Sequence, residues 1–551
     1  MPELMSEWLS LPQIVLTERQ LFDLELLGNG GFAPLEGFLS EGDYSSVVED
    51  MHLMDGSLWP IPIVLDIRSP HHYTIGQRVL LVDTYGNALA MLTIKSIYAP
   101  DREREAQMVY GTTDRMHPGA RYILDEQGDV NLGGTIEMIA PPQHFDFKEL
   151  RHTPEELKAF FKEKGWDKIV AFQTRNPLHR AHVEIIKRAA EMHDAHILLH
   201  PVVGLTKEGD IDYITRVRAY KALQENGRLG DDATLALLPL AMRMAGPREA
   251  LLHALVRRNY GATHFIVGRD HAGPGLGSDG EPLYGPYEAQ ELALKYQPEL
   301  GITIVPAQET VYVENEDRYL ATPELEPHHV VKNISGTELR RMLRNNEEIP
   351  DWFSFPEVIA ELRRGAMRQT RRGGITVFFT GLPSSGKSTI ARILHHRLLE
   401  VQDRPATLLD GDVVRRHLSR GLGFSRTDRN LNIERIGYVA GEITKHGGIA
   451  LCAAIAPYTE SRDANRALIG RDGAYVEVYV ATPLAVCRMR DPKGLYKKAE
   501  LGLISGVTGV DDPYEVPTDP ELTFDLSDMT GAAAAEAVIT YLADRGLIML
   551  V

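Results

Sequence analysis

Over the first 147 positions, short apolar runs alternate with turn residues: Ile61-Pro-Ile-Val-Leu65, Arg78-Val-Leu-Leu-Val82 and Ala88-Leu-Ala-Met-Leu-Thr-Ile94. Asp83, Gly86, Asn87 and the Pro118-Gly119 pair punctuate them, and this pattern predicts a mainly β module. From Asp167 the texture changes to strand then helix. Residues 168–172, 195–199, 234–238 and 263–267 read as short buried strands, with helical spacing of apolar residues over 180–192 and 248–259. Alternation of this kind predicts a parallel sheet with crossover helices, the α/β class.

The stretch 361–374 (ELRRGAMRQTRRGG) carries five arginines and three glycines among 14 residues. It reads as an exposed interdomain tether, with a phosphate-binding patch as the sharper alternative. Ile375-Thr-Val-Phe-Phe-Thr380 then opens a second α/β pattern that runs to the C-terminus.

Composition narrows the class. The chain has 551 residues, roughly four domains at ~150 residues each. With 59 basic and 77 acidic residues its net charge is −18, which argues against broad binding to nucleic acid or an anionic membrane. An anionic substrate must be held by local groups against that field. Met1 to Leu16 has Glu3 and Glu7 but no basic region, and no apolar stretch reaches ~18 residues, so neither a signal peptide nor a membrane span is expected. Two cysteines, Cys452 and Cys487, make no disulfide framework, and the expected compartment is the cytosol.

Gly381-Leu382-Pro383-Ser384-Ser385-Gly386-Lys387-Ser388 fits G-x-x-x-x-G-K-S after a predicted strand and before a predicted helix at 389–399. Its glycines let backbone amides curl around phosphate oxygens, and the helix N-terminus adds its dipole. Lys387 is expected to reach the β and γ phosphates, Ser388 to ligate Mg²⁺, and Thr389 to complete the ATP-binding run. The next strand, 406–409, delivers Asp410-Gly-Asp412 to its carboxyl end, where ligands bind in open α/β sheets. Arg415, Arg429 and Arg435 follow, with Phe424, Asn432 and the stretch Arg490-Asp-Pro-Lys-Gly-Leu-Tyr-Lys-Lys498. Arginines grip sulfate or phosphate bidentately, and an aromatic ring offers a purine a stacking face.

A second constellation lies in the middle of the chain. Gln173-Thr174-Arg175-Asn176-Pro-Leu-His179-Arg-Ala-His182 follows the strand at 168–172 and opens a helix. Two histidines three apart share one face near that N-terminus, where they can donate to phosphate. H-x-x-H also suits zinc, but no glutamate stands between the histidines and no cysteine cluster is near, so no zinc site is expected. Gly268-Arg269-Asp270-His271-Ala272-Gly-Pro-Gly275 follows the strand at 263–267, and His200-Pro-Val-Val-Gly204 ends another. Met242-Arg-Met-Ala-Gly-Pro-Arg248 and Ile334-Ser-Gly-Thr-Glu-Leu-Arg340 add glycine-rich and basic segments.

Both constellations resemble known families. The central set is similar to ATP sulfurylase, the sulfate adenylyltransferase family, over residues 1 to about 350. Asp410-Gly-Asp412, Leu422-Gly-Phe-Ser425, Asp428-Arg429, Asn432-Ile433, Asp491-Pro-Lys-Gly-Leu-Tyr496 and Asp511-Asp-Pro-Tyr-Glu515 resemble adenylyl-sulfate kinase over residues 373–551. Together the resemblances imply a PUA-like mainly β domain (1–147), a Rossmann-like nucleotidyltransferase domain (148–320), a small α/β subdomain (321–360), the tether (361–374) and a P-loop kinase domain (375–551). They imply that Gln173 and Arg175 bind sulfate with the Ala272 backbone, and that Thr174, Arg175 and Asn176 form the reactive loop. His179 and His182 would steady the ATP phosphates, and Gly268 to His271 would cradle the nucleotide. Sulfate attacks the α-phosphorus, and pyrophosphate leaves with Mg²⁺. In the kinase, the resemblance implies that Asp412 assists the acceptor hydroxyl. Arg415, Arg429 and Asn432 would hold the acceptor, Phe424 would stack on its adenine, and Lys497 would sit in a lid.

The expected activity is therefore two-step sulfate activation. ATP and sulfate give adenylyl sulfate and pyrophosphate, and a second ATP gives 3′-phosphoadenylyl sulfate. A homo-oligomer is expected, with no nucleic-acid or membrane partner. Two alternatives share these motifs: a sulfurylase running toward ATP, and a C-terminal domain kept only as a regulatory nucleotide-binding module. A nucleic-acid-binding P-loop protein lacks any basic stripe beyond the tether. Three positions depart from the kinase pattern: Val413 for a common asparagine, Val507 for a lid phenylalanine that would stack on the acceptor, and Ala456 for a serine that some members can phosphorylate.

Overall fold

The structure, a computed structural model, describes residues 11–68, 72–207, 210–344, 347–366, 374–402 and 404–548. The N-terminal part is built on a six-stranded sheet of β1 (Gln13–Val15), β2 (Gly37–Phe38), β3 (Leu65–Ile67), β4 (Arg78–Val82), β5 (Ala88–Tyr98) and β6 (Val130–Met138). Its order is β1-β4-β5-β6-β2, with β3 also on β6, and only the β1–β4 pair is parallel. Val79, Leu81, Leu92, Ile94 and Leu132 are fully buried in its core.

Two local readings change here. The run from Ile61 joins the sheet only at Leu65, although Ile61 and Ile63 are buried; Pro60 and Pro62 carry no N–H for a ladder. The module also holds helices at Glu18–Gly28, Glu41–Asp50 and Arg102–Tyr110, each started by a capping side chain: Thr17, Ser40 and Asp101.

The central sheet is wholly parallel, in the order β11-β10-β7-β8-β9: β7 (Ile169–Phe172), β8 (His196–Leu199), β9 (Ala233–Leu235), β10 (His264–Val267) and β11 (Thr303–Pro306). Phe172 lies opposite both Leu199 and Ile266, so the chain leaves β7, β8 and β10 at one common edge. Helices Arg180–His193 and Gly246–Asn259 match the sequence expectation closely.

A small antiparallel sheet, β13-β12-β14, follows: β12 (Thr310–Val313), β13 (Arg318–Ala321) and β14 (Val331–Lys332). It begins before position 321, so the expected boundary cuts through it. The expected tether also starts too early, because Glu361 to Ala366 complete the helix Pro356–Ala366. Leu362 is buried there, and Glu361 pairs with Arg218 at 2.9 Å. Residues 367–373 of that tether lie outside the described residues.

The C-terminal sheet is parallel, in the order β16-β17-β15-β18-β19: β15 (Gly374–Thr380), β16 (Ala406–Asp410), β17 (Ile449–Ala453), β18 (Gly473–Val480) and β19 (Leu522–Phe524). Every residue of β15 is buried, as a central strand covered on both faces requires. The helix after the phosphate loop spans Lys387–Val401, two residues earlier than expected, because Gly386 at φ +107° serves as its N-cap. That helix also meets the other domains: His396 lies 3.5 Å from Asp146, and Arg218 donates to the Glu400 carbonyl at 3.1 Å.

Candidate active sites

The edge where β7 and β10 end opens into a cavity of about 720 Å³ lined by both central motifs. Gln173, Thr174, Arg175, Asn176, His179 and His182 reach it from one side, and Gly268 to Ala272 from the other. The reactive loop is tied internally: the Thr174 hydroxyl accepts the Asn176 N–H at 3.0 Å, and the Tyr220 hydroxyl donates to the Asn176 carbonyl at 2.6 Å. The Arg175 Nη1 sits 2.6 Å from both oxygens of Asp210, while its Nη2 donates to the Gly273 carbonyl at 3.3 Å.

The histidines stand at the start of the helix Arg180–His193, with His179 as its N-cap. The His179 N–H donates to His182 Nδ1 at 3.1 Å. The His182 proton therefore sits on Nε2, a donor at a helix N-terminus. His179 Nδ1 meets Ser354 Oγ at 2.9 Å. Burial pushes the His179 imidazole down to about 3, helped by His182, and burial alone pushes His182 down to about 4. Both rings are therefore neutral near pH 7, and a neutral imidazole still carries one N–H donor.

The opposite loop is strained. Asp270 and Ala272 adopt φ of 52° and 54°, and a Cβ at Gly273 would lie 1.8 Å from Asp270 Oδ1. That conformation costs energy in non-glycine residues and is found at ligand-binding turns. His271 borders the cavity, but its Nε2 is spent on His253 Nδ1 at 2.9 Å and its ring packs edge-on against Phe265. It supports the loop from the core. Sequence reasoning missed Asp210, the carboxylate that holds Arg175.

The second cavity, about 870 Å³, lies at the carboxyl ends of β15 and β16. Pro383, Ser384 and Gly386 to Thr389 line it, whereas Gly381, Leu382 and Ser385 do not. Gly381 takes φ +145° with the Val480 carbonyl 2.5 Å from where a Cβ would stand, so no side chain fits. Lys387 Nζ donates to the carbonyls of Gly381 (3.0 Å) and Leu382 (2.6 Å), and burial lowers its ammonium to about 8. Ser388 Oγ donates to Asp410 Oδ2 at 2.6 Å, and Asp410 also caps the next helix through the Asp412 N–H. Burial raises the Asp410 carboxyl. Ser388 and Asp410 make an all-oxygen donor pair, which fits Mg²⁺.

Across this cavity, Phe424 is 63% exposed, with the Arg415 guanidinium 4.6 Å and that of Arg429 5.6 Å from its ring centre. Arg429 also donates to Thr508 Oγ1 at 2.9 Å. Asn432 borders the cavity with Oδ1 buried and unpartnered, a polar atom that a ligand would satisfy. Two residues singled out in the sequence stand outside this lining. Lys497 does not reach the cavity: it lies inside the short helix Leu495–Glu500, and its ammonium faces Glu500 at 3.8 Å. Arg490 and Lys493 line the cavity instead, and Lys493 forms an ion pair with Asp412. Val507 does not stand where a stacking ring would be missed; it is buried with Cys487 and Tyr496.

The described residues contain one His/Glu cluster of metal-binding proximity, Glu316 with His328 and His329, and none of the three lines either cavity. No helix among them is long and apolar enough to cross a membrane.

Comparison with known proteins agrees with the two-cavity layout. Residues 148–365 match the ATP-sulfurylase family, residues 373–525 the adenylylsulphate kinase family, and residues 2–141 the PUA-like domain. The sulfate adenylyltransferase of Gibberella zeae is 49% identical over 99% of this chain and 96% of its own length. That of Aspergillus fumigatus is 50% identical over 99% and 95%. A solved structure titled hexameric APS kinase from Thiobacillus denitrificans shares 35% identity and a TM-score of 0.56, covering 99% of this chain and 96% of that one. The chain belongs to the sulfate adenylyltransferase family and joins to it an adenylylsulphate kinase domain, which makes it a bifunctional enzyme of sulfate activation.

Proposed function

We propose that the β7–β10 cavity forms adenylyl sulfate from ATP and sulfate, and that the β15–β16 cavity phosphorylates its 3′-hydroxyl. In the first step Gln173 and Arg175 hold sulfate beside the Ala272 backbone. A sulfate oxygen attacks the α-phosphorus of ATP, the new P–O bond forms, and the bond to pyrophosphate breaks. His182 Nε2–H and the helix N-terminus meet the charge that grows on the leaving group, with Arg175 beside them. Thr174 and Asn176 keep the loop in shape, and Gly268, Arg269 and Asp270 cradle the nucleotide.

In the second step Lys387 and the loop amides hold the ATP phosphates. Asp412, released from Lys493, accepts the proton of the 3′-hydroxyl as its oxygen attacks the γ-phosphorus; the new P–O bond forms, the bond to the β-phosphate oxygen breaks, and ADP leaves. Arg415, Arg429 and Asn432 hold the acceptor, with Phe424 against its adenine. Ser388, with Asp410, would hold Mg²⁺, which supplies charge neutralisation for the phosphates.

The observation that carries this reading is the placing of Arg175, His179 and His182 at one helix N-terminus facing the 268–272 loop. The complete Lys387, Ser388 and Asp410 set favours a working kinase over a regulatory module. We place the protein in the cytosol, where the buried free thiols of Cys452 and Cys487 suit a reducing compartment, and as a homo-oligomer. The test is purified protein with ATP, Mg²⁺ and labelled sulfate, following both nucleotides over time. Label passing through adenylyl sulfate into 3′-phosphoadenylyl sulfate is expected; label halting at adenylyl sulfate would restore the regulatory-module alternative.

A further inference from the structure

The cavity of the C-terminal domain is not walled by that domain alone. Tyr85, Asn87 and Gln143, all from the N-terminal part, line it together with the phosphate-loop helix. The turn that carries Tyr85 joins β4 to β5 and is rigidly built. Asp83 Oδ1 accepts the N–H groups of Tyr85 and Asn87, both at 2.9 Å, and Asp83 Oδ2 accepts from the Asn87 amide at 2.7 Å. Gly86 turns the chain at φ +85°, and a Cβ built there would lie 3.7 Å from Lys493 Cε, within contact of the lysine that pairs with Asp412.

The Tyr85 ring meets Arg392, whose guanidinium carbon is 4.2 Å from the ring centre and 4.9 Å from that of Phe145. Arg392 also lines the cavity. It stands four residues after Ser388 on the helix Lys387–Val401, so both side chains share one face. Ser388 on that face donates to Asp410. An arginine packed against two aromatic rings is held in place, whereas the same arginine in water samples many rotamers.

We infer that Tyr85 is a positioning residue of the kinase step: it fixes Arg392 over the face of Ser388, where the guanidinium grips the polyphosphate of ATP. The N-terminal part thereby completes a site that the P-loop domain does not close by itself. This rests on the assignment of the second cavity to the kinase reaction.

The test is steady-state kinetics on the full chain, with both activities read on each preparation. Tyr85→Ala and Arg392→Ala are each expected to raise the kinase KM for ATP five- to tenfold, leaving the KM for adenylyl sulfate and the first-step rate unchanged. The double variant should be no worse than Arg392→Ala, because Tyr85 acts through that residue. Tyr85→Phe keeps the ring and should behave like the parent. A Tyr85→Ala enzyme with its ATP KM within twofold of the parent overturns the inference, as do additive effects in the double variant or equal losses in both activities. An unmodified enzyme that makes no 3′-phosphoadenylyl sulfate would instead remove the kinase assignment itself.

Discussion

Arg175 and Asp210 form a two-oxygen ion pair in the lining of the β7–β10 cavity, with Nη1 2.6 Å from each carboxylate oxygen. Both side chains are mostly sheltered, at 18% and 13% exposure, so the pair is weakly screened. On the proposed role of Arg175, Asp210 holds a guanidinium nitrogen that sulfate would take, and sulfate would bind by displacing that carboxylate.

That competition gives the first prediction. Asp210→Asn removes the rival anion and is expected to lower the KM for sulfate. Arg175→Ala removes a contact to developing charge and should cost roughly 2.7–4 kcal/mol, about 10²–10³ in turnover. Initial rates of pyrophosphate release against sulfate concentration read both. A higher sulfate KM in Asp210→Asn would mean that the aspartate orients Arg175 instead of competing for it.

A second prediction concerns acid stability. His179 and His182 are held by burial at about 3 and about 4, against 6.5 for an ordinary imidazole. On unfolding, both rings take up protons below about pH 6.5, so the unfolded state binds more protons than the folded one. Stability therefore rises with pH through that window and is lost as pH falls from about 6.5 toward 4. Thermal melts should show a lower Tm at about pH 5 than at about pH 7, with a smaller drop in His182→Gln. An equal drop in that variant would shift the effect to other buried groups.

Much of the lining of the two cavities could be read from the chain because its parts are local. The strand-loop-helix run through Gly381 to Ser388, and the run from Gln173 to His182, each carry their own geometry. Contacts between distant residues left no such trace. Asp210 meets Arg175 from 35 positions away, and His271 sits within the nucleotide motif yet turns to His253 in the core. Lys493 and Lys497 lie four apart in one basic stretch. The left-handed Gly494, at φ +63°, starts a helix between them, leaving Lys493 at the cavity and Lys497 against Glu500. In the N-terminal module the alternating runs marked β4 and β5, while the three capped helices went unread because their buried faces are short.

The third prediction separates the two steps. Lys387 is fully committed to the phosphate loop, donating to Gly381 and Leu382 carbonyls that ATP phosphates would displace it from. Lys387→Ala should lower phosphorylation of adenylyl sulfate by about 10²-fold or more, since transfer depends on positioning and charge neutralisation. Sulfate-dependent pyrophosphate release should be unchanged, because that cavity uses a different sheet. Loss of both rates in a folded variant would show that the two cavities are not independent.

The last prediction turns on Phe424 and Val507. Phe424 presents an exposed ring to the kinase cavity, backed by the guanidinium groups of Arg415 and Arg429. Base–aromatic stacking contributes ~1–3 kcal/mol, so Phe424→Ala should raise the KM for adenylyl sulfate about 5- to 150-fold with little change for ATP. Val507 is 7% exposed, and its neighbours are the buried Cys487 and Tyr496, not the cavity. A phenylalanine there has no open face to offer a purine, and its extra volume must push the packed residues apart. Overpacking of that kind typically costs about 1–3 kcal/mol. Val507→Phe is therefore expected to lower Tm without tightening adenylyl sulfate, which equilibrium binding and a thermal melt measure together. Tighter binding at unchanged Tm would mean that the 506–512 loop swings its side chains into the cavity when the acceptor binds, and that Phe424 then shares the purine with position 507.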